Sequence, residues 1–334
     1  MALPVQPRSI LIIQTAFTGD VVLATPVIER LHRCYPDAAI DFLLRKGNEG
    51  LLQGHPHLRQ VLVRDKREGK LKSLAQTLRQ VRAARYDLVV NLHRFASSGI
   101  IAAFSKGRHI CGFDKNPFSW RYHHRVPHVI GVAGVHEVDR NLSTISHLTS
   151  GPEDPMRLYP SESDFAKVPQ GLAYVCIAPT SVWFTKQWPA ERWTALIQDL
   201  PAGMRVYLLG APGDQATCAR IAEASGHPDI HNMCGQLNFL QSAALMSQAQ
   251  MNYVNDSAPL HFASAMQAPV TAVFCSTIPD FGFGPRSPQG RIVEHPGQLD
   301  CRPCGLHGHR ACPKGHFQCA DIPTALVLGE GLGK

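Results

Sequence analysis

Short apolar runs alternating with amphipathic stretches, in two separate successions, constrain this 334-residue chain more than any other feature. In the first succession, Ser9 to Gln14 reads as a buried parallel strand, and a loop from Thr15 to Asp20 leads into a helix from Val21 to about Cys34. That helix stops at the Tyr35-Pro36-Asp37 turn. Ala39 to Leu44 and Asp87 to Leu92 read as further strands, with an amphipathic helix at Leu71 to Arg85 between them. Proline, serine and charge then cluster from Leu158 to Gly171, as in a linker.

The alternation restarts with strands predicted at Tyr174–Ala178, Arg205–Gly210, Met251–Val254 and Val270–Phe274. Helices are predicted at Ala190–Leu200, Ala216–Ser225, Phe239–Gln248 and His261–Met266. The expectation is therefore an α/β protein of two doubly wound, Rossmann-like domains, residues 1–165 and 172–334. Two such domains facing each other leave a cleft at the carboxyl ends of their strands, where open α/β sheets bind ligands.

Charge divides along the same line. Residues 1–170 hold 23 Lys and Arg against 15 Asp and Glu, and residues 171–334 hold 10 against 11. The excess is densest from Arg59 to Arg85, with nine basic residues and two acidic ones. This suits an anionic partner of the first half, or simply a solvated helix face. Aromatics do not interleave with these charges, which argues against nucleic acid. No apolar run approaches the ~20 residues that span a bilayer. The start, with only Ile10 to Ile13 apolar after Arg8, does not read as a signal peptide. A cytoplasmic protein, peripheral at most to the inner membrane, is expected, and its ten cysteines should be mostly reduced.

Three segments carry candidate chemistry. In the first loop, Gly19 permits close backbone approach, and Asp20 stands at a helix start as either a cap or a functional carboxylate. G-x-G-x-x-G spacing is absent there, so an ordinary dinucleotide site is not expected. The second segment is Ala178 to Pro189, after the first strand of the second half. Thr180 and Ser181 offer hydroxyls there, and Lys186 offers a cation of the kind that pairs with phosphate. The third is Asn255 to His261, where a helix starting near Ser257 presents backbone N–H groups to an anion. Asp256 is suited to sugar hydroxyls or to capping, and a lone helical His261 is more often a packed residue than a catalyst. In the tail, Cys301-x-x-Cys304 with Cys312 and Cys319 is compatible with structural zinc, but the later pair has the wrong spacing and reduced thiols are favoured.

In order and spacing these segments resemble the ADP-heptose:lipopolysaccharide heptosyltransferases. The resemblance rests on Ile-Ile-Gln-Thr-Ala-Phe-Thr-Gly-Asp-Val at the start, Thr-Lys-Gln-Trp-Pro and Asn-Asp-Ser-Ala-Pro-Leu-His in the second half, and the tail Cys-Pro-Lys-Gly-His-Phe-Gln-Cys. It implies a GT-B fold, with the acceptor on the N-terminal domain and the nucleotide-sugar on the C-terminal one. It also implies Asp20 as catalytic base and Lys186 as a contact of the donor diphosphate. The implied donor-binding set is Thr18, Gly19, Thr180, Ser181, Lys186, Asp256, Ser257, Ala258 and His261. The chain departs from the family at Ser257-Ala258, where Thr-Gly is more usual. No match was found for residues gripping ribose and adenine, so the donor's base is inherited from the family.

The expected reaction is inverting transfer of heptose from ADP-heptose to an anionic, lipid-linked glycan of the lipopolysaccharide inner core. No cofactor or metal is expected, since no D-x-D sequence occurs. Lys186 and a helix start would carry the leaving charge instead. Three other readings stay open: a same-family transferase with another nucleotide-sugar or acceptor, a GT-B-like sugar-nucleotide epimerase, and a non-catalytic sugar-nucleotide binder.

Overall fold

The computed structural model describes residues 6–67, 69–152, 154–169, 171, 173–201 and 203–329. They form two compact units, one of residues 1–130 and 135–159, the other of residues 131–134 and 160–334.

In the first unit the elements run β1 (Ser9–Ile13), α1 (Thr18–Leu23), α2 (Thr25–Cys34), β2 (Ala39–Arg45), β3 (Gln60–Arg64), α3 (Lys70–Ala84), β4 (Leu88–Asn91), α4 (Ala96–Ala103), β5 (His109–Phe113), β6 (His124–Val126) and α5 (Glu137–Ser143). All strands pair in parallel, in the order β3-β2-β1-β4-β5-β6. Strands of such a sheet are covered on both faces, which is why Ile10 to Ile13 and Leu88 to Val90 are continuously apolar and fully buried. Each such side chain contributes about 1.5–3 kcal/mol of burial free energy.

The second unit repeats the plan. Its elements are α6 (Glu162–Phe165), β7 (Tyr174–Ala178), α7 (Ala190–Gln198), β8 (Arg205–Leu208), α8 (Gln215–Ser225), β9 (Ile230–Asn232), α9 (Phe239–Ser247), β10 (Met251–Asn255), α10 (Ala258–Ala265), β11 (Val270–Phe274), β12 (Gly290–Glu294) and α11 (Thr324–Leu328). The strand order is β12-β11-β10-β7-β8-β9, again all parallel. Counted from its own first strand, this is the same arrangement as in the first unit. Trp188 and Trp193 meet edge to face at 4.9 Å in its core.

Two local expectations are corrected. The helix expected from Val21 to Cys34 is two helices, because it starts at Thr18 and breaks at Ala24. Pro26 lacks an N–H, and the Thr25 hydroxyl donates to the Val22 carbonyl at 2.8 Å, so the next helix starts afresh there. Thr18, Gly19 and Asp20 consequently lie in the first turn of α1 rather than in a loop. The stretch read as a linker contains α6, capped by Ser161, whose hydroxyl accepts from the Asp164 N–H. Strands β3, β5, β6, β9 and β12 were not anticipated. Three are interrupted by histidine or arginine, and all but β5 contain exposed or half-exposed residues that mask the apolar pattern.

Candidate active site

In sheets of this strand order, ligands gather where neighbouring strands lead off in opposite directions, at the carboxyl ends. That point lies between β1 and β4 in the first unit and between β7 and β10 in the second. The candidate residues cluster at these two places.

In the first unit the chain leaves β1 through Gln14, Thr15, Ala16 and Phe17 before entering α1. Each step is tied down. The Gln14 amide donates to the Leu92 carbonyl at 3.3 Å and accepts from the Ala16 N–H at 3.2 Å. Thr15 Oγ1 lies 3.0 Å from His93 Nδ1, across the β1–β4 boundary. Asn48, just after β2, donates to the Ala16 carbonyl at 3.3 Å and accepts from the Thr18 hydroxyl at 3.1 Å. Asp20 faces back along the turn and accepts the Phe17 N–H at 3.0 Å. It thereby serves as a cap, as the residue type allows, while its half-exposed position keeps the carboxylate within reach of solvent.

His93 belongs to this site but escaped the sequence reading. It is buried, and burial together with the positive charges of Lys66, Arg94 and Arg64 lowers its pKa to about 4. Neutral at physiological pH, it holds the Thr15 side chain. Its own backbone is fixed by Asn116, whose amide donates to the carbonyls of His93 and Phe95 at 2.9 and 3.0 Å. Gly99 makes room for that amide: a Cβ there would stand 1.9 Å from Asn116 Oδ1. The available signal was position alone, immediately after a strand adjoining β1.

In the second unit Lys186 and Asp256 form one ion pair, with Nζ 2.6 Å from Oδ2. The side chains are 15% and 6% exposed. Thr277, beyond β11, donates to the same carboxylate oxygen at 2.6 Å. In the sequence alone Lys186 and Asp256 are separate candidate contacts. They meet because β7 and β10 are neighbours in register, so the residues following them emerge side by side. Asn255 braces the Lys186 segment, its Oδ1 accepting from the Trp188 N–H at 2.9 Å. Gln187 donates to the Ser181 carbonyl at 2.6 Å, which fixes the loop carrying Thr180 and Ser181.

Ser257 is the N-cap of α10 but makes no side-chain capping bond, and Ala258 opens the helix. His261, one turn in, is buried.

The tail completes this site. The Thr185 N–H donates to the His309 carbonyl at 3.1 Å, and the His309 N–H donates to Thr185 Oγ1 at 2.8 Å. Gly308, at φ +75°, lies so close that a Cβ would fall 2.9 Å from Thr185 Oγ1 and 3.2 Å from Lys186 Cγ. Glycine alone fits that conformation without strain. Among the described residues no group of three His, Cys, Asp or Glu has metal-holding geometry. Cys301 Sγ is 3.9 Å from His316 Nε2.

The basic stretch Arg59 to Arg85 does not act as one face. Arg59 is engaged by the buried Asp41, with Nε 2.9 Å from one carboxylate oxygen, and Arg64 is buried. Lys72, Arg79, Arg82 and Arg85 are exposed on or just after α3.

Two sheets of this strand order, each with polar and charged groups at its switch point, define a protein of the GT-B class. Escherichia coli ADP-heptose lps heptosyltransferase II superposes with a TM-score of 0.78 at 20% identity, covering 96% of each chain. E. coli heptosyltransferase WaaC with ADP-2-deoxy-2-fluoro heptose gives 0.71 at 19% identity, over 86% of this chain and 94% of that one. The chain belongs to glycosyltransferase family 9 (heptosyltransferase), whose profile matches residues 73–311. It is 30% identical over 286 residues to lipopolysaccharide heptosyltransferase 3 of Escherichia coli, spanning 78% of this chain and 82% of that protein. It is therefore a glycosyltransferase. The first turn of α1, which bears Asp20, lies before the matched span.

Proposed function

We propose that this enzyme transfers heptose from ADP-heptose to an acidic, lipid-linked glycan of the lipopolysaccharide core, with inversion and without a divalent metal. The observation that carries the reading is the position of the groups. A carboxylate stands at the switch point of the first sheet, and a lysine beside a helix start stands at that of the second. The names of the relatives support the donor and the acceptor class.

In this reading the N-terminal domain, expected from the sequence at residues 1–165, holds the acceptor, and Asp20 accepts its hydroxyl proton as the new C–O bond forms. The C-terminal domain, expected from the sequence at residues 172–334, holds the donor. Thr180 and Ser181 supply hydroxyls to the diphosphate. Asp256, His261 and the N–H groups around Ser257 and Ala258 hold sugar and phosphate, and Thr18 and Gly19 complete the donor contacts. The bond from the anomeric carbon to the diphosphate oxygen breaks as the acceptor oxygen attacks from the opposite face, which inverts the centre. ADP leaves with one more negative charge, which Lys186 and the start of α10 stabilise. With that charge met by protein groups, a metal has no required role.

The acceptor is built on lipid, so the reading places the enzyme in the cytoplasm against the inner membrane face. Among the described residues no helix is long and apolar enough to cross a membrane. The exposed basic residues of α3 suit an anionic surface, each worth about 1 kcal/mol at most.

The test is incubation with ADP-heptose and heptose-free core acceptor, with mass spectrometry of the product and NMR of its anomeric configuration. A mass gain of one heptose with inverted configuration is expected. Turnover only with a different nucleotide-sugar, or release of a free isomer without acceptor, would replace this reading with another.

A further inference from the structure

The chain that follows β11 at its carboxyl end, Cys275-Ser276-Thr277, is buried throughout. Carbonyl groups past a strand end have lost their ladder partners, and when buried they must find other donors. Here one side chain from the tail meets them. Arg302 Nε donates to the Cys275 carbonyl at 2.7 Å, and Nη2 donates to the Phe274 carbonyl at 3.3 Å and the Thr277 carbonyl at 2.7 Å. Nη2 also lies 2.6 Å from Oε2 of half-exposed Glu294, the last residue of β12 and the register partner of Phe274. A guanidinium suits this place, because its N–H groups are fixed in a planar fork and can hold several carbonyls in one geometry.

The same loop reaches the donor groups. The Thr277 hydroxyl donates to Asp256 Oδ2 at 2.6 Å, the oxygen that also lies 2.6 Å from Lys186 Nζ. The Ser276 hydroxyl donates to Thr185 Oγ1 at 3.0 Å, next to Lys186 in the chain. The Cys304 N–H donates to the Ser276 carbonyl at 2.8 Å. The backbone of the loop is thus held by residues 302 and 304, and its two hydroxyls reach Asp256 and Thr185.

The ion pair sets a condition on binding. A lysine held by a buried carboxylate can turn to a diphosphate only if the carboxylate keeps another donor, since a buried charge left without one is strongly unfavourable. Thr277 is that donor. A hydroxyl on so short a side chain stays on its target only while its backbone is fixed, and Arg302 fixes that backbone at the Thr277 carbonyl itself.

We infer that Arg302 is a positioning residue for the donor site: by holding the carbonyls of Phe274, Cys275 and Thr277 it keeps the Thr277 hydroxyl on Asp256, which releases Lys186 to serve the diphosphate. This rests on the assignment of Lys186 to the donor made above and deepens it. Arg302 acts through Thr277 and takes no part in the chemistry.

The test is calorimetric titration of the full-length enzyme with ADP, at a temperature where melting curves show every variant folded. Arg302→Gln should weaken ADP binding by roughly tenfold, the loss of about one charge-assisted hydrogen bond. Thr277→Val should weaken it to a similar extent. The double variant should be no weaker than the weaker single one, because both changes remove the same contact, whereas two independent structural losses would multiply. Arg302→Lys keeps the charge and the pairing with Glu294 but has no fork. It should weaken binding by about threefold or more, alone but not on top of Thr277→Val, and it decides the question if Arg302→Gln fails to fold. Glu294→Gln leaves the carbonyl contacts in place and should keep ADP affinity within about twofold of the parent's. In turnover, Arg302→Gln should raise KM for the nucleotide-sugar by roughly tenfold and leave KM for the acceptor within about twofold.

ADP affinity in Arg302→Gln within about twofold of the parent's, or a double variant weakened by the product of the single effects, overturns the proposal. If Lys186→Met nevertheless loses ADP, the donor assignment stands and only the role of Arg302 falls. If Lys186→Met binds ADP as the parent does, or the parent binds none, the donor assignment falls and the proposal with it.

Discussion

Removing Lys186 should have two separable effects, and the ion pair with Asp256 is what separates them. Lys186→Met takes away the positive partner at 2.6 Å and leaves a carboxylate that is 6% exposed. Breaking a buried pair on one side costs about 3–5 kcal/mol. Thr277 still donates to the stranded carboxylate, so the lower end, about 3 kcal/mol, is expected. For a unit of this size that lowers the melting temperature by roughly 6–12 °C. The second effect is on ADP. A charge-assisted hydrogen bond to phosphate is worth about 1.5–3 kcal/mol, so affinity should fall by roughly 10- to 150-fold. Titration calorimetry at 10 °C, where the variant remains folded, isolates this term from stability.

Lys186→Met/Asp256→Asn should recover most of the lost stability, because no charge is stranded and asparagine can still accept from Thr277. It should not recover ADP affinity. If ADP binds Lys186→Met as it binds the parent, or if the double variant regains full affinity, Lys186 is only a counter-ion and the donor assignment fails. If the single variant melts with the parent, the reasoning about the pair fails.

Asp20→Asn keeps an acceptor for the Phe17 N–H, so melting should shift by about 1 °C or less while turnover falls by roughly a hundredfold or more; near-parental turnover would leave Asp20 as a cap alone. Excess EDTA should leave turnover unchanged, and its abolition with rescue by Mg²⁺ or Mn²⁺ would contradict the charge-stabilising role of Lys186 and α10. Gly99→Ala should displace Asn116 and with it the His93 backbone, lowering both stability and acceptor turnover, and equal activity at equal stability would show that the contact yields freely.

Acid should destabilise the first unit before the second. Burial, with nearby positive charge, lowers His55 to about 3 and His93, His109 and His147 to about 4, and all four lie in the first unit. In the unfolded chain these imidazoles take up protons near pH 6.5, and in the folded chain only near pH 3–4. Their contribution is thus intact above about pH 6.5 and is lost progressively toward pH 4. Calorimetric melting followed from pH 7.5 to 5 should show a falling transition, and a flat profile would refute the argument.

The periodic parts of this fold were legible because parallel strands covered on both faces must be apolar. Ile10 to Ile13, Tyr174 to Ala178 and Val270 to Phe274 announce themselves, and loops following such strands are where ligands bind. Asp20, Lys186 and Asp256 could be picked out on that ground. What could not be read was which of them touch. Lys186 and Asp256 are 70 positions apart and meet only through the β7–β10 pairing. Arg64 was counted within a basic run that suits either an anionic partner or a solvated helix face, since no strand is expected from Gln60 to Arg64. It is 3% exposed at the end of β3, opposite Arg45 of β2. His93 and Thr277 carry no local signal beyond following a strand.

The bonds between Thr185 and His309 have a consequence for synthesis. A ribosome releases the chain from its N-terminus, so β7 to β11 can be assembled while the tail is still in the exit tunnel. During that interval Lys186 lacks the packing of Gly308 and the anchoring of its neighbour Thr185. If Lys186 holds the donor diphosphate as proposed, that side is completed only when residues near 309 emerge, so a nascent enzyme should acquire its ability to hold nucleotide last, after both sheets have formed.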